Sequence, residues 1–302
     1  MATVEASWPA TADVEAAFRA AQDRFCRSLE AIDGGAFTID RWDRPGGGGG
    51  ETRVLAGDGP IEQAAVNVSA VYGPTPATLG ERMAGVVGDE FYATGLSIIV
   101  HPANPHASTF HANVRHFRSG GAAWFGGGAD LTPYYLYTED AVGFHRAIAD
   151  ICDRHAVADH AAWKRACDDY FHLPHRGEHR GVGGIFFDHL TERPDEAWAF
   201  VTDLADHLAD LYVPILERRV GLPVTEDQRR WHELRRGRYV EFNLVWDRGT
   251  RFGLETNGRT ASILASLPPR ARWQYEDLTP EPGTPEAELL TMVRGEPKDW
   301  LA

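Results

Sequence analysis

The stretch LSIIVHPANPHASTFHANVRHFRSGGAAWFGGGADLTP, residues 96–133, decides how the rest of the sequence is interpreted. It places four of the thirteen histidines among short apolar runs that have the composition of β-strands. Arginine, asparagine and aspartate side chains lie in the same runs. So many titratable groups in what reads as buried strand are hard to explain by packing alone. We therefore interpret this stretch as a candidate active site.

Strand alternation predicts which of these side chains lie together. His111, Asn113 and Arg115 share one face of their strand, because successive side chains point to opposite sides. The same rule groups three residues of the preceding strand, which are Ser97, Ile99 and His101. Hydrogen-bonded core residues are the simpler explanation for any single histidine. A buried arginine beside them favours a ligand site, because its desolvation is costly without an anion to pair with.

The glycine run 126–128 brings Asp130 to the end of this stretch. Backbone without side chains lets a ligand or another strand approach closely, and Asp130 would supply a carboxylate there. Leu131, Thr132 and Pro133 follow, so a turn or helix-cap role for Asp130 fits the local sequence equally well. Both roles stay open at this point.

Length and composition are those of a globular protein. The chain has 302 residues, of which 43% are hydrophobic and 25% charged. Without a long repeat or a low-complexity linker, we expect a single catalytic domain over residues 1–302. The net charge of -14 argues against a nucleic-acid partner, since a phosphate backbone needs clustered Lys and Arg. A few local arginines could still bind an acidic small molecule.

The cysteines and the N-terminal sequence indicate a reduced, cytoplasmic protein. Cys26, Cys152 and Cys167 are far apart, odd in number and without a CxxC pair. The first residues show neither the basic region nor the apolar run of a secretory signal. No apolar run approaches the length that spans a bilayer. We therefore expect a soluble protein with no stable membrane insertion.

Periodicity predicts an α+β arrangement. Helices are predicted at 11–32, 76–88, 138–155, 159–171, 195–221 with a kink at Pro214, 225–237, 262–267 and after Thr284. Further strands are predicted at 36–42, 52–57, 64–73 and 183–190, with the glycine run 46–50 as a flexible hairpin connection. Residues 238–256 alternate in polarity around a central turn and are predicted as a hairpin. This order favours an antiparallel sheet covered by helices.

The glycine-rich loop near residue 177 holds further candidate groups. His175 to His179 match the H-x-x-E-H pattern of one class of zinc protease, but Pro174 and the neighbouring glycines would break the helix which that pattern needs. Arg176 and Arg180 in such a loop are more typical of anion binding. The turn 256–259 adds another arginine, for which solvation is the simpler explanation.

Several long motifs resemble one known family. They are RWDRPGGGGGETRVL, VNVSAVYG, SIIVHPANPHASTFHANVRHF, WFGGGADLTPYY, DDYFHLPHRGEHRGVGGIFFD, GRYVEFNLVWDRGTRFGLETNGRTASILASLPP and the terminal KDW. They run in order from about residue 36 to the C-terminus, whereas residues 1–35, with the N-terminal helix, are less similar. The sequence resembles the aerobic, oxygen-dependent coproporphyrinogen III oxidases.

The resemblance implies both an activity and a fold. The enzyme would convert two propionates of coproporphyrinogen III to vinyl groups, giving protoporphyrinogen IX in haem and tetrapyrrole biosynthesis. Molecular oxygen would be the acceptor, carbon dioxide and hydrogen peroxide would be released, and no organic cofactor is implied. The implied fold is a large flat antiparallel β-sheet between two layers of α-helices. A homodimer is implied, with residues 239–274 as the dimerisation segment.

Site residues follow by position in the shared motifs. His111 falls on the proposed proton donor, and Asp130 on the aspartate assigned to the pyrrole nitrogens of the substrate. The substrate-binding positions are Ser97, Asn113, Val114, Arg115, Asn257, Gly258 and Arg259. We hypothesise that Asp130 holds or deprotonates a pyrrole N–H, that Arg115 anchors the reacting propionate, and that His111 transfers a proton to the reduced oxygen.

A divalent metal is a secondary expectation. In bacterial members of the family, His101, His145 and His175 fall on proposed metal positions. Three imidazoles could hold Mn²⁺ or Fe²⁺, but manganese favours oxygen ligands, so hydrogen bonding or substrate contact is the favoured alternative for these histidines. Two other functions remain: a metal-dependent hydrolase or oxygenase with histidine ligands, and a non-catalytic tetrapyrrole-binding protein.

Overall fold

A meander of antiparallel strands forms most of the β-sheet. The computed structural model describes residues 7–75, 88–255, 258–276 and 278–302. In that part of the chain, seven strands form one sheet in the order β1-β2-β3-β4-β5-β6-β9, and each neighbouring pair is antiparallel. The strands are Thr38–Asp43 (β1), Gly48–Ala56 (β2), Ile61–Pro74 (β3), Glu90–Pro102 (β4), Thr109–Ser119 (β5), Ala122–Thr132 (β6) and Gly183–Leu190 (β9). His172–Leu173 (β7) and Glu178–His179 (β8) pair separately.

The helices mostly lie where the periodicity predicts them. They are Thr11–Asp33 (α1), Thr138–Cys152 (α2), His160–Tyr170 (α3), Pro194–Arg219 (α4), Glu226–Glu241 (α5), Arg248–Glu255 (α6), Thr260–Leu264 (α7) and Pro285–Arg294 (α8). Gly34 ends α1 in the left-handed region, and the Thr284 hydroxyl accepts a hydrogen bond from the first turn of α8. The predicted helix 76–88 lies, except for Gly88, outside the described residues.

One face of the sheet is apolar and lies under α1, α2 and α4. Phe110 of β5 shows how the layers meet, because its ring packs on Phe25 of α1, Phe144 of α2 and Tyr212 of α4. Ten of the inward-facing residues of β3 to β6 on this side are at most 1% exposed: Val66, Val68, Leu96, Ile98, Val100, Ala112, Val114, Phe125, Ala129 and Leu131. Burial of this kind contributes about 1.5–3 kcal/mol for each large side chain.

The opposite face carries α5 and the segments that follow it. Tyr239 of α5 packs on Ala65 and Ile99 of the sheet, and Phe242 packs beside Phe171. Helices therefore lie on both faces of an antiparallel sheet, which confirms the predicted α+β class.

The predicted hairpin at 238–256 is wrong. Residues 238–255 of this segment form the end of α5, a single π-helical turn at Phe242–Trp246, and α6. A capping box between Thr225 and Gln228 starts α5, and its buried residues Trp231, Leu234 and Tyr239 recur at helical spacing. The alternation of polar and apolar residues also fits a helix that is buried on several sides.

Gly237 does not end the preceding helix, contrary to the prediction. It lies inside α5, where a Cβ atom would be 2.6 Å from the carbonyl oxygen of Arg272. The glycine is therefore explained by the close approach of another segment rather than by a stop signal. The predicted hairpin connection at 46–50 is confirmed, although residues 48–50 already belong to β2.

Candidate functional site

Strands β4, β5 and β6 bring five predicted side chains into one row of neighbours on the sheet. We call these residues the polar strip: Ser97, His111, Asn113, Arg115 and Asp130. Ser97 lies opposite Asn113, and His111 lies opposite Asp130. The prediction from strand alternation is confirmed, and the strip lies on the face that carries α5. Ser97 is exposed, so this face is open at the strip.

Asp130 lies between two cationic or proton-donating groups. His111 Nδ1 is 2.7 Å from one carboxylate oxygen and Arg180 Nη2 is 2.5 Å from the other. Burial raises the pKa of Asp130, but the charge of Arg180 and the bond from His111 outweigh it and lower that pKa below its ordinary value. An ionised Asp130 accepts the proton of His111 Nδ1, which leaves His111 Nε2 as the nitrogen that faces away from the carboxylate.

Arg180 is the buried partner that holds this arrangement in place. Only 3% of the residue is exposed. Its guanidinium lies 3.9 Å from the ring centre of Phe171 and is also in contact with the rings of Tyr239 and Phe242. Nη1 donates to Asn243 Oδ1 over 3.3 Å. Burial disfavours the charged form, but Asp130 more than compensates and raises the pKa of Arg180.

Arg115 is fixed at the open end of the strip. Nη1 donates to Asn113 Oδ1 at 2.8 Å, and Nη2 lies 3.0 Å from Asp188 Oδ1. The guanidinium crosses Gly126, where a Cβ atom would lie 2.9 Å from both Arg115 Nε and Asp188 Oδ1. A side chain at Gly126 would therefore separate the two charges. About a third of Arg115 stays exposed, so its free edge can meet a ligand.

A second arginine lies farther along the same face. The row that contains Ser97 and Asn113 continues through Asn67, Thr52 and Asp40. Arg259, just before α7, forms an ion pair with Asp40. The Ser262 hydroxyl of α7 is 2.7 Å from Thr52 Oγ1, and the Asn67 amide donates to the Ser262 carbonyl. With strands about 4.8 Å apart, β1 and β5 are separated by about 19 Å, and α7 lies on β2 and β3 between them.

The three other predicted substrate positions are Val114, Gly258 and Asn257. Val114 points to the opposite face and is buried in the apolar core, so only its backbone lies near the strip. The Gly258 amide donates to the Gly253 carbonyl at 2.7 Å. Asn257 lies outside the described residues.

A comparison with protein families gives the arrangement its context. A family model described as coproporphyrinogen III oxidase matches residues 13–300, which include every residue of the polar strip. The chain belongs to the coproporphyrinogen III oxidase family. Membership makes it an enzyme of tetrapyrrole biosynthesis with coproporphyrinogen III as the fitting substrate. Among the described helices, none is long and apolar enough to cross a membrane.

The histidines proposed as metal ligands in bacterial oxidases lie apart. His101 bonds to Thr109 Oγ1 and the Ser266 carbonyl, and burial lowers its pKa to about 3. His145 bonds to the Val182 carbonyl, and burial lowers its pKa to about 4. His175 lies 2.7 Å from a carboxylate oxygen of Glu241 and accepts from the Trp246 indole. These three side chains do not fit one shared metal ion.

Other metal arrangements are also missing from the part of the chain that the structure describes. It holds no group of three His, Cys, Asp or Glu side chains that could bind a metal. The H-x-x-E-H pattern falls on the small β7–β8 hairpin rather than on a helix. Its glutamate, Glu178, is buried and accepts from Arg235 at 2.7 Å. The residues 175–179 therefore lack the geometry of a zinc protease.

Sequence reasoning missed two partners in this candidate site. Arg180 was expected in an anion-binding loop, but it pairs with Asp130 across 50 residues of sequence. Asp188 was not expected to contact Arg115. The register of β6 and β9 explains both, since Gly184 lies opposite Asp130 and β9 places Asp188 beside Gly126. Only the unusual density of charge in these apolar segments could have indicated such pairs.

Proposed function

We propose that the protein is an oxygen-dependent coproporphyrinogen III oxidase that turns two propionates into vinyl groups and yields protoporphyrinogen IX. The observation that carries the proposal is the chain His111–Asp130–Arg180 at the edge of an open polar strip. The His111 imidazole is able to transfer protons, and the ion pair between Asp130 and Arg180 fixes the carboxylate to which that imidazole is bonded. Molecular oxygen is the electron acceptor in this proposal.

The proton balance of the reaction gives His111 a role. Each propionate loses carbon dioxide, a proton and two electrons, while oxygen takes up two electrons and two protons to form hydrogen peroxide. One proton is therefore consumed for each vinyl group formed. In our proposal the donor is the imidazolium form of His111, which gives up the proton on Nε2 while Nδ1–H stays bonded to Asp130, and the ring is partly exposed at the strip.

Asp130 acts in this proposal mainly through His111. Its two oxygens already accept from His111 and Arg180, and only 3% of the residue is exposed. Its lowered pKa makes it a weak base but a good acceptor of fixed hydrogen bonds. An ionised carboxylate has further lone pairs, so Asp130 can also accept a pyrrole N–H that approaches over the strip.

The arginines account for recognition of a tetra-anionic substrate. Arg115 and Arg259 present cationic groups at two separated places on an otherwise acidic protein. Asp188 and Asp40 hold these arginines, and both aspartates are partly exposed. A propionate would therefore share or replace these partners when it binds. Electron-rich pyrroles can donate electrons to oxygen directly, so the protein contributes orientation and proton transfer.

One assay tests the proposal against its alternatives. Coproporphyrinogen III is added to the purified protein with and without oxygen, and the porphyrin products are separated by chromatography. We expect protoporphyrinogen IX, hydrogen peroxide and carbon dioxide only in the aerobic sample. Binding without product formation would indicate a tetrapyrrole-binding protein, and equal turnover without oxygen would contradict oxygen dependence.

A metal-stripped preparation tests the second expectation. Because His101, His145 and His175 have separate partners, we expect full turnover after chelation, with elemental analysis confirming that Mn²⁺ and Fe²⁺ are absent. Loss of turnover that added Mn²⁺ restores would instead favour a metal-dependent oxygenase.

A homodimer is part of the same proposal. Segment 239–274 exposes large apolar side chains, which are Leu244, Val245, Trp246, Leu254, Leu264 and Trp273. Exposed apolar side chains at this density are typical of an interaction surface. Light scattering should give the mass of two chains, and Val245→Glu should give the mass of one. A wild-type protein with the mass of one chain would contradict the dimer.

A further inference from the structure

The backbone carbonyl of Val182 accepts two buried side-chain donors that the proposed mechanism does not use. The Trp300 indole Nε1 donates to it at 3.1 Å, and His145 Nε2 donates at 3.0 Å. Both donors are almost completely buried, Trp300 at 4% and His145 at 1% exposure. A carbonyl that is bound by two rigid rings has little freedom to rotate.

Val182 lies between the two residues that contact Asp130. Arg180, two residues earlier, forms the ion pair with Asp130, and Gly184, two residues later, is its partner in the sheet. The Val182 amide donates to the Leu131 carbonyl at 3.1 Å, next to Asp130. Rotation of the backbone at Val182 would therefore move Arg180 relative to the Asp130 carboxylate, which orients His111.

Packing around Trp300 fixes the direction of its N–H group. The ring is part of the apolar core under α2, and the His145 ring is nearly parallel to it, at 25° and 6.3 Å. The Lys298 ammonium lies 4.6 Å from the centre of the indole. Because a carbonyl oxygen can only accept, the His145 ring lies with its Nε2–H directed at Val182. Residues 298–300 are thereby joined to the core beneath the site.

We propose that Trp300 and His145 are positioning residues for the oxidase reaction: they hold the Val182 carbonyl and so keep Arg180 on Asp130 and Asp130 on His111. The inference rests on the proposed function for its assay. In this proposal His145 acts through its hydrogen bond to the Val182 carbonyl rather than as a metal ligand, and Trp300 contributes to turnover through the same carbonyl.

A matched pair of tryptophan variants tests the role. Trp300→Phe keeps an aromatic ring but removes the donor, and Trp231→Phe does the same to another buried indole, which donates to the Tyr134 carbonyl at 2.7 Å. Because small misplacements of reacting groups are costly, we expect kcat of Trp300→Phe to fall by about tenfold or more, with KM little changed. Trp231→Phe should lose similar stability in thermal unfolding but keep its kcat. Equal effects of the two changes on kcat would overturn the proposal.

A double-mutant cycle asks whether the loss acts through Arg180. Arg180→Lys should lower kcat by itself, because lysine lacks the planar group that bonds Asp130 and Asn243 together. If Trp300 acts through Arg180, adding Trp300→Phe to Arg180→Lys should lower kcat much less than it does in the wild type. Independent, additive effects would contradict a positioning role.

His145 provides a test that does not depend on the stability of Trp300→Phe. His145→Gln keeps an N–H donor, whereas His145→Leu keeps a buried apolar group without one. We expect the glutamine variant to recover most of the kcat that the leucine variant loses. Equal kcat in the two variants would overturn the inference. Absence of turnover in the wild-type protein would refute the proposed function instead, so the two failures are distinguishable.

Discussion

The two faces of the sheet differ in the polarity of their side chains and in how completely those side chains are buried. Under α1, α2 and α4 the strands present aliphatic and aromatic side chains that are almost completely buried. On the other face the same strands present the polar strip, and Ser97, His111 and Arg115 remain open or partly open. Alternation along β4 and β5 therefore gives each strand one apolar, buried side and one polar, partly open side.

Each face of the sheet has a buried aspartate, and the two aspartates differ in their ion-pair partners. On the apolar side, the buried Asp140 is paired with Arg218 and Arg219 at the edge of the helical layer, away from the strip. On the open side, Asp130 is paired with Arg180 directly beneath a histidine. A buried ion pair by itself is weak evidence of function. What distinguishes Asp130 is that one of its partners is His111, an imidazole of the polar strip that can transfer a proton.

The largest expected difference separates Asp130 from Asp140. Asp130→Asn leaves the buried Arg180 without its counter-charge and leaves one neutral oxygen where two carboxylate oxygens accept from His111 and Arg180. We expect a loss of about 3–5 kcal/mol in unfolding free energy and a loss of turnover by about 10³-fold. Asp130→Ala should abolish turnover as well. Asp140→Asn should lose comparable stability but keep normal turnover in the protein that remains folded. A similar loss of kcat in both variants would contradict the difference in role between Asp130 and Asp140.

His111 gives the next effect in size. His111→Gln keeps a hydrogen bond to Asp130 but cannot transfer a proton, so we expect kcat to fall by about 10²-fold or more. The side chain is partly exposed, so the melting temperature should change little. His106→Gln, in the loop after β4, is the control and should keep wild-type kcat. Substantial activity of His111→Gln would mean that another group supplies the proton.

Arg115 and Arg118 compare the two faces within one strand. Arg115→Ala removes a charged donor from the strip, and we expect KM for coproporphyrinogen to rise about 10- to 100-fold, as the loss of a charged hydrogen bond implies. Arg118 alternates to the other side of β5, so Arg118→Ala should leave KM unchanged. Similar KM values for the two variants would remove Arg115 from the binding site.

His116 should affect stability without affecting turnover. It is buried on the apolar side, where burial lowers its pKa to about 4 although its ring bonds to the Trp124 carbonyl. In the unfolded chain its pKa is near 6.5. Above that value its contribution is complete, and it is lost as the pH falls through 6.5 toward 4, because the unfolded chain then binds the proton more readily.

His116→Gln should therefore flatten the dependence of unfolding free energy on pH, by on the order of 3 kcal/mol between pH 7 and 4. Chemical denaturation at a series of pH values measures this, and kcat at neutral pH should stay at the wild-type value. An unchanged pH dependence would show that His116 is not held neutral in the fold.

The polar strip could be predicted because its geometry is local. His111, Asn113 and Arg115 share a face by alternation alone, and a meander makes consecutive strands neighbours. The partners Arg180 and Asp188 could not be predicted, since they depend on which strand lies beside β6. That strand is β9, which follows two helices and a small hairpin.

Residues 238–256 show the opposite case, in which a local pattern was misleading. Alternation around Asp247 favoured a hairpin, but residues 238–255 form two α-helical pieces joined by a π turn. The helix is stabilised by tertiary contacts that no local pattern contains, such as Tyr239 on the sheet and Gly237 against Arg272. The π turn also brings Asn243 to Arg180 while it exposes Trp246.

The meander has a consequence for the order of folding. Strands β1 to β6 pair with their neighbours along the chain. On the polar face, in contrast, the segments that cover the strands are about 165 to 219 residues away in sequence, as in the contacts of His101 with Ser266 and of Arg259 with Asp40. Nearby contacts form faster than distant ones. A refolding chain should therefore regain its sheet signal before its activity, and partly folded molecules should still lack the cover that α5 and the segments after it give to the polar face.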